Sequence, residues 1–282
     1  MHLAVDTCSE LPIAVEVTPA HVNDGDVAPD LMAQSIEILD TKPQFFIMDA
    51  GYDQHKNDEF AHKHGAQAII PLNLRNEKEP PAGMMSNGTP RCSMGYEMTY
   101  WGADPSHLKF RCPHATGKVD CPLGMAACSS SNYGMVAKVR LDDDLRRYSK
   151  PHRDTRQWKT LYDERTSVER CNSRMKTFLT ANSLHVWGIK KVQTHISLNV
   201  MVLLVSALAV SKQKQEEQLR KNINCIIIVQ NLVLKRDFLF LIWAFSFISK
   251  PLKANYAKCS QYRKTIVYFI ICRHGMHKVP TS

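Results

Sequence analysis

Four side chains between positions 162 and 176 could act together on a phosphodiester. Tyr162, Arg165, Glu169 and Lys176 are separated by three, four and seven residues. On one continuous helix these positions fall within about 60° of one another around the axis. The apolar residues of the same helix fall on a neighbouring face, which is predicted to be buried. A carboxylate is a hard oxygen ligand that suits Mg²⁺, and cations suit phosphate oxygens. The pattern indicates a face that holds a metal ion beside a polyanion, and a solvated helix face is the alternative interpretation.

A second carboxylate, Asp49, follows the apolar segment 45–48, which is predicted to be a buried strand. Sheets of the α/β class place their ligands at the carboxyl ends of such strands. Taken alone, an Asp in that position is more often a turn residue. Together with Glu169 it becomes a candidate metal ligand, because two carboxylates from separate elements can hold Mg²⁺ or Mn²⁺ for in-line phosphodiester displacement.

The elements that would position these residues alternate between short strands and helices, which predicts an α/β fold with a mixed sheet and flanking helices. Predicted strands cover residues 2–6, 12–18, 45–48 and 68–72, and the first two are predicted to form a hairpin. Predicted helices cover residues 28–40, 54–64, 155–180 and 192–210. The last helix is almost wholly apolar, but its uninterrupted run is shorter than the roughly 20 residues of a membrane span. We therefore expect it to be a core helix, and no membrane association.

Residues 73–140 differ from the sequence on either side and predict a β-rich insertion. They are rich in Gly, Pro and Ser and contain four cysteines at irregular spacing, namely Cys92, Cys112, Cys121 and Cys128. Four thiolates confined to a small subdomain could hold a structural Zn²⁺. The alternative is four reduced thiols packed as small apolar side chains, which the irregular spacing favours.

Charge divides the chain into a body and a tail. Residues 212–282 contain 13 Lys and Arg against 3 Asp and Glu, whereas residues 145–191 contain 12 against 4. The basic region around Glu169 suits a polyanion. We expect the tail to be a non-native continuation of the body. The sequence predicts four parts: a first part of the catalytic domain at 1–72, the insertion at 73–140, a second part at 141–211, and the atypical tail at 212–282.

These motifs carry a resemblance to a known family. The segment 49–53 (Asp-Ala-Gly-Tyr-Asp), together with Tyr162, Arg165, Glu169 and Lys176 at their spacing, resembles the bacterial insertion-sequence transposases of the DDE class. The similarity covers roughly residues 1–210. Members of that family have an RNase H-like catalytic domain, with an inserted β subdomain between the second and third catalytic carboxylates.

The resemblance implies a role for each matching residue. Asp49 would be the second catalytic carboxylate and Glu169 the third, and both would ligate Mg²⁺ or Mn²⁺. Arg165 and Lys176 would hold phosphates at the transposon end, and Tyr162 would contact the DNA near the cut. The implied partners are the transposon ends and the target as double-stranded DNA, and a second copy of the full-length protein. Apart from the resemblance, nine irregularly spaced cysteines without a secretory signal predict reduced thiols and a cytoplasmic location.

The chain departs from the family at its start. The family's sheet has a first strand bearing the first Asp, followed by two more strands, and here only two strands precede the first helix. Asp6 could be proposed as that first carboxylate, although a solvated turn residue is the commoner role for such an acid. A missing central strand would leave backbone groups unpaired on both neighbours. We therefore expect a truncated, poorly stable and inactive transposase. The alternatives are a non-catalytic DNA-binding remnant and a zinc-stapled interaction module.

Overall fold

The computed structural model describes residues 1–39, 41–74, 79–124, 126–212 and 266–271, which form two compact units. The first unit contains residues 1–52 and the described residues from 163 onward. The second unit contains residues 53–162, and the predicted insertion at 73–140 lies wholly inside it. The predicted boundaries of the four parts stay predictions.

The first unit is built on a mixed sheet. Strands β1 (His2–Asp6) and β2 (Pro12–Glu16) pair antiparallel, as the hairpin prediction required. Strand β3 (Phe45–Met48) is fully buried. Strand β8 (Ile266–Ile271) lies between β1 and β3, so the order within this unit is β2, β1, β8, β3. It runs antiparallel to β1 and parallel to β3.

The position of β8 corrects the expected gap in the sheet, whereas the non-native origin of the tail stays a prediction. The sequence predicted a missing central strand, which would leave backbone groups unpaired on its neighbours. Instead, residues 266–271 of the tail pair with β1 along one side and with β3 along the other. The backbone groups that a missing strand would leave open are therefore paired. Unpaired backbone groups were the reason for expecting a poorly stable chain, and the pairing of β8 removes that reason. The rest of the tail, at 213–265 and 272–282, lies outside the described residues.

Within the described residues, three helices flank this sheet. Helix α1 (Asp24–Ile38) begins earlier than the predicted residue 28, because the Asn23 side chain accepts a hydrogen bond from the Gly25 N–H (3.2 Å) and caps the helix there. Helix α4 (Thr166–Phe178) packs on β1 and β8. Helix α5 (Ile189–Lys212) packs on β2 and α4.

Helix α5 packs through one face only. Its buried positions recur at the helical period: Val192, Ile196, Asn199, Leu203, Ser206, Ala207 and Val210. Gln193 Oε1 accepts a hydrogen bond from the Val17 N–H at 2.9 Å, which ties the helix to the end of β2. By length and composition residues 189–211 could also cross a bilayer, which is weak evidence for a membrane span. The helix is thus a flanking helix of this unit, and Leu198 on its outer side is exposed.

The second unit contains helix α2 (His55–Lys63), strand β4 (Gln67–Ile69), a separate three-stranded sheet and helix α3 (Arg156–Asp163). The three strands are β5 (Thr99–Ala103), β6 (His107–Arg111) and β7 (Val136–Arg140), paired antiparallel in that order. Its core consists of Met98, Leu108, Phe110, Val139, Leu141 and Tyr148. The predicted β character of the insertion is therefore present in the structure.

Candidate functional site

Asp49 stands where the sequence predicted, directly after β3. Its backbone C=O accepts the Tyr52 N–H (2.9 Å) and its Oδ1 accepts the Ala50 N–H (2.8 Å), so the residue caps a short 3₁₀ turn at 50–52. Tyr52 is fully buried and anchors that turn in the core. The Asp49 side chain itself is exposed. A fixed backbone with an accessible carboxylate is what a cation ligand needs.

Glu169 is held in place by the buried face of α4. Val168, Cys171 and Met175 are fully buried, at the three- and four-residue spacing of one helix face. Burial raises the pKa of the Cys171 thiol to about 12, so this cysteine belongs to the core and is not a nucleophile. The predicted apolar face is confirmed, and Glu169 projects from the opposite, accessible side of α4.

Arg165 and Glu169 form an ion pair, with Nη1 of Arg165 3.4 Å from Oε1 of Glu169. The two side chains are 40% and 46% exposed, respectively. Such an exposed pair contributes only about 0.2–1 kcal/mol, so either partner can be drawn to a ligand at small cost. Lys176 lies two helical turns beyond Glu169 on the same side of α4. The structure therefore brings these three predicted residues to one helix face.

The prediction of one continuous helix over 155–180 is wrong. Helix α3 ends at Asp163 and α4 begins at Thr166. The Thr166 hydroxyl donates to the Asp163 C=O (3.2 Å) and the Ser167 hydroxyl donates to the Glu164 C=O (2.7 Å), so two side chains compete with the backbone at this point.

Tyr162 is therefore not part of the α4 face. It stands on α3 and belongs to the second unit, where its ring stacks on Trp158 with centroids 5.1 Å apart. The wheel argument that joined Tyr162 to Glu169 assumed an unbroken helix and does not hold.

A buried ion cluster that the sequence did not predict fixes α4 to the β1–β2 turn. Glu10 is 2% exposed and adopts a left-handed backbone (φ 57°), which is unusual for a residue with a side chain. Its carboxylate accepts hydrogen bonds from Arg170 Nε (2.7 Å) and Arg174 Nη2 (3.2 Å). These arginines flank Glu169 in sequence, so the cluster sets where α4 sits on the sheet. The only sequence signal was an acid in a turn and two cations on a helix.

Asp6 does not serve as a free carboxylate. Its Oδ2 accepts hydrogen bonds from the Ser9 N–H (2.8 Å) and the Ser9 hydroxyl (2.6 Å), and the residue is 8% exposed. It is a turn residue that closes the β1–β2 hairpin, although it is buried and not solvated as the alternative interpretation expected.

The four cysteines of the insertion are free thiols and are not gathered into a metal site. Cys112 is buried, Cys92 packs against the core of the second unit, and the Cys128 Sγ lies 3.6 Å from the Ser93 Oγ. Across the part of the chain that the structure describes, no three His, Cys, Asp or Glu side chains are grouped to hold a metal. The reduced state expected for all cysteines does not extend to Cys8, which is disulfide-bonded.

The carboxylates of Asp49 and Glu169 stay the predicted ligands for a divalent cation. Both are exposed and both offer hard oxygens, which fits Mg²⁺ or Mn²⁺ and does not fit a thiophilic metal. Mg²⁺ is commonly held by one or two carboxylates with waters and phosphates completing its coordination. A third carboxylate of this set is not found among the described residues.

The comparisons with known proteins agree with the sequence resemblance. A model of the transposase DDE domain family matches residues 1–205. The chain belongs to this family of DDE transposases, since the match covers well over half of its 282 residues. No curated protein and no solved structure matches the chain. Membership implies a transposase function, DNA as the partner and divalent metal ions as the usual cofactor of the family.

Proposed function

We propose that this chain is a transposase-family protein that binds DNA and a divalent cation but does not cleave. The observation that carries the proposal is the composition of the sheet. Strand β8 takes the central place between β1 and β3, and its sequence, Ile-Val-Tyr-Phe-Ile-Ile, contains no acid. A full site needs a third carboxylate, and the described residues of β8 at this central position do not supply one.

The fold we propose for the first unit is RNase H-like. A hairpin next to a central strand, which in turn is parallel to the strand bearing Asp49, supports this assignment. In that arrangement β8 occupies the place of the family's first strand, although it comes from the far end of the chain. This placement completes the backbone pairing between β1 and β3, and β8 itself supplies no carboxylate.

The candidate site residues of the first unit form two groups, one that would bind the cation and one that would bind phosphate. Asp49 and Glu169 would hold the cation, which in an intact site supplies charge neutralisation and an activated water for phosphodiester chemistry. Arg165 and Lys176 would contact DNA phosphates beside it. When a phosphate approaches, Arg165 can exchange its weak pairing with Glu169 for the phosphate. Glu169 is then free to ligate the cation.

The test uses the full chain with a duplex that carries the DNA flanking its gene. Filter binding or anisotropy measures affinity over a salt series, and a gel measures strand breaks with Mg²⁺ or Mn²⁺. We expect binding that weakens with salt, and no breaks. Replacing Lys176 with Ala should reduce the salt slope by roughly one unit, because one phosphate contact is lost. Metal-dependent breaks that require Glu169 would contradict the loss of activity, and absence of DNA binding would contradict the whole proposal.

Other predictions of the sequence stay open alongside this one. A homodimer, the recognition of particular transposon ends and a role for Tyr162 at the cut remain proposals, as does action in the cytoplasm. The zinc-stapled module is the weaker alternative, because the structure leaves the four cysteines apart.

A further inference from the structure

The outer face of the three-stranded sheet in the second unit carries a dense set of cations and rings. Leu108 and Phe110 of β6 point into the core and are fully buried, so the alternating residues of β6 stand on the other face. Register then assigns the neighbours on that face, since directly opposite residues share a side. The face thus contains His107, Lys109 and Arg111 of β6 opposite Arg140, Lys138 and Val136 of β7.

Two exposed aromatic rings on this face are held by one guanidinium. The Arg111 Cζ lies 4.6 Å from the ring centroid of Trp101 and 3.8 Å from that of Tyr133. The Arg111 Nε–H also donates to the Tyr133 C=O at 2.7 Å. Trp101 remains 50% exposed and Tyr133 44% exposed. Large exposed rings that are fixed in position can stack on a ligand without a further loss of side-chain entropy.

The charges of the face favour an anion. Lys109 pairs with Asp104 at 2.7 Å, and Arg140 lies 3.8 Å from Asp142. Lys138 and Arg111 have no carboxylate within ion-pair distance among the described residues. Four cations therefore stand against two carboxylates, and one of the two cations without an ion-pair partner, Arg111, contacts both rings.

We propose that this face binds single-stranded nucleic acid. Rings that stack on bases, interleaved with cations that neutralise phosphates, are the combination that non-specific single-strand binding requires. A duplex hides its base faces, so the rings would contribute little to duplex binding. An acidic peptide would use the cations without the rings. The proposal concerns the second unit alone and needs neither Asp49 nor Glu169.

The experiment measures binding of a fluorescein-labelled oligo-dT strand and of a duplex of equal length to the full chain. Intrinsic tryptophan fluorescence is recorded in the same titrations. Trp101→Ala should weaken oligo-dT binding by about tenfold, the equivalent of about 1.4 kcal/mol for one stacked base. It should also remove most of the fluorescence quenching. Trp187→Ala is the matched control, because Trp187 is 72% exposed and lies in the first unit.

A charge variant provides a second, independent test of the proposal that does not involve the Trp101 ring. Lys138→Glu should weaken oligo-dT binding and reduce its salt slope, whereas Lys118→Glu, another exposed cation of the same unit, should have the smaller effect. Both positions are on the surface, so the variants should fold. Oligo-dT affinity unchanged by both Trp101→Ala and Lys138→Glu would overturn the proposal. Equal competition by polyglutamate would also overturn it.

Failure here can be told apart from failure of the proposed function. If Trp101→Ala has no effect while Lys176→Ala still weakens duplex binding, only the single-strand site is wrong.

Discussion

Nη2 of Arg174 lies 3.2 Å from Oε2 of Glu10, across 164 residues of sequence. Arg174 also donates to the Glu10 C=O at 2.9 Å, and its side chain is only 14% exposed. The contact fixes the helix that carries Glu169 to the turn that joins β1 and β2. A structural ion pair of the core thereby positions a candidate cation ligand on the surface.

Breaking this contact should destabilise the first unit. Glu10→Gln leaves Arg174 partly buried without its carboxylate, and we expect a loss of about 2–4 kcal/mol in the free energy of unfolding. Urea denaturation measures it. Arg170→Ala should cost less than Arg174→Ala, because Arg170 is 50% exposed. Equal effects of the two arginine variants would contradict the role of burial.

Strand β8 should be needed for the stability of the sheet. A chain ending at residue 265 lacks β8, and a chain ending at residue 271 retains it. We expect the shorter chain to lose hydrogen-exchange protection at the amides of β1 and β3, since both strands pair with β8 along their length. The chain ending at 271 is the control and should keep its protection. Identical protection in the two chains would show that β8 is dispensable.

Stability should fall in mild acid because of His2. This residue is 2% exposed, its Nε2 lies 2.7 Å from the Thr18 Oγ1, and its Nδ1 lies 3.5 Å from the Tyr52 hydroxyl. Burial, and then the chain's terminal amine, lower its pKa from 6.5 to about 4. The folded state therefore holds His2 neutral in the range where the unfolded state protonates it.

The sign and size of the effect follow from linkage. The stabilisation is fully present above pH 6.5 and is lost as the pH falls towards 4, by at most about 3 kcal/mol. The free energy of unfolding, measured between pH 6.5 and 4, should decrease as the pH falls in the native chain. The His2→Gln variant should lack this pH dependence. The exposed His55 supplies the control variant His55→Gln. A slope that survives in His2→Gln would contradict the assignment.

Asp58, in the second unit, should give stability the opposite pH dependence, so that stability falls as the pH rises. This residue is 5% exposed, and its Oδ2 has no hydrogen-bond partner among the described residues. Burial raises its pKa from 3.8 to about 7, against the attraction of Arg153. The carboxyl is therefore held protonated, and the stability it contributes below pH 3.8 is lost as the pH rises to 7.

Asp58→Asn should accordingly stabilise the protein above pH 7, by about 1–3 kcal/mol, and change little below pH 3.8. The contrasting variant is Asp53→Asn, which breaks the two hydrogen bonds to Arg146 at 2.8 and 2.7 Å and should destabilise. Thermal or urea unfolding at the two pH limits separates the variants. Destabilisation by Asp58→Asn above pH 7 would contradict the pKa assignment.

Local pattern was enough to predict β1, β2, β3 and the position of Asp49, because alternation and apolar runs are recorded in a few adjacent residues. It was also enough for the buried face of α4, where Val168, Cys171 and Met175 keep the helical period. Contacts between distant segments could not be predicted in this way. The segment 266–271 has the composition of a strand, but its residues alone do not predict that it pairs with β1 and β3.

The remaining errors have the same cause. At the break between α3 and α4, two side-chain hydroxyls donate hydrogen bonds to backbone carbonyls. The helical period of the apolar residues does not predict these hydrogen bonds. The partners of Glu10 lie 160 and 164 residues away, so only the folded chain reveals them.

The central claim is that Asp49 and Glu169 together bind a divalent cation. The most direct test is to measure Mn²⁺ binding to the full chain by electron paramagnetic resonance. If Asp49 and Glu169 share one cation, Asp49→Asn and Glu169→Gln should each weaken binding, and the double variant should be little worse than either, because coupled ligands are not additive. Glu164→Gln, which changes an exposed acid just before α4, should bind Mn²⁺ as the native chain does. Mn²⁺ affinity that is unchanged in both single variants would contradict the account.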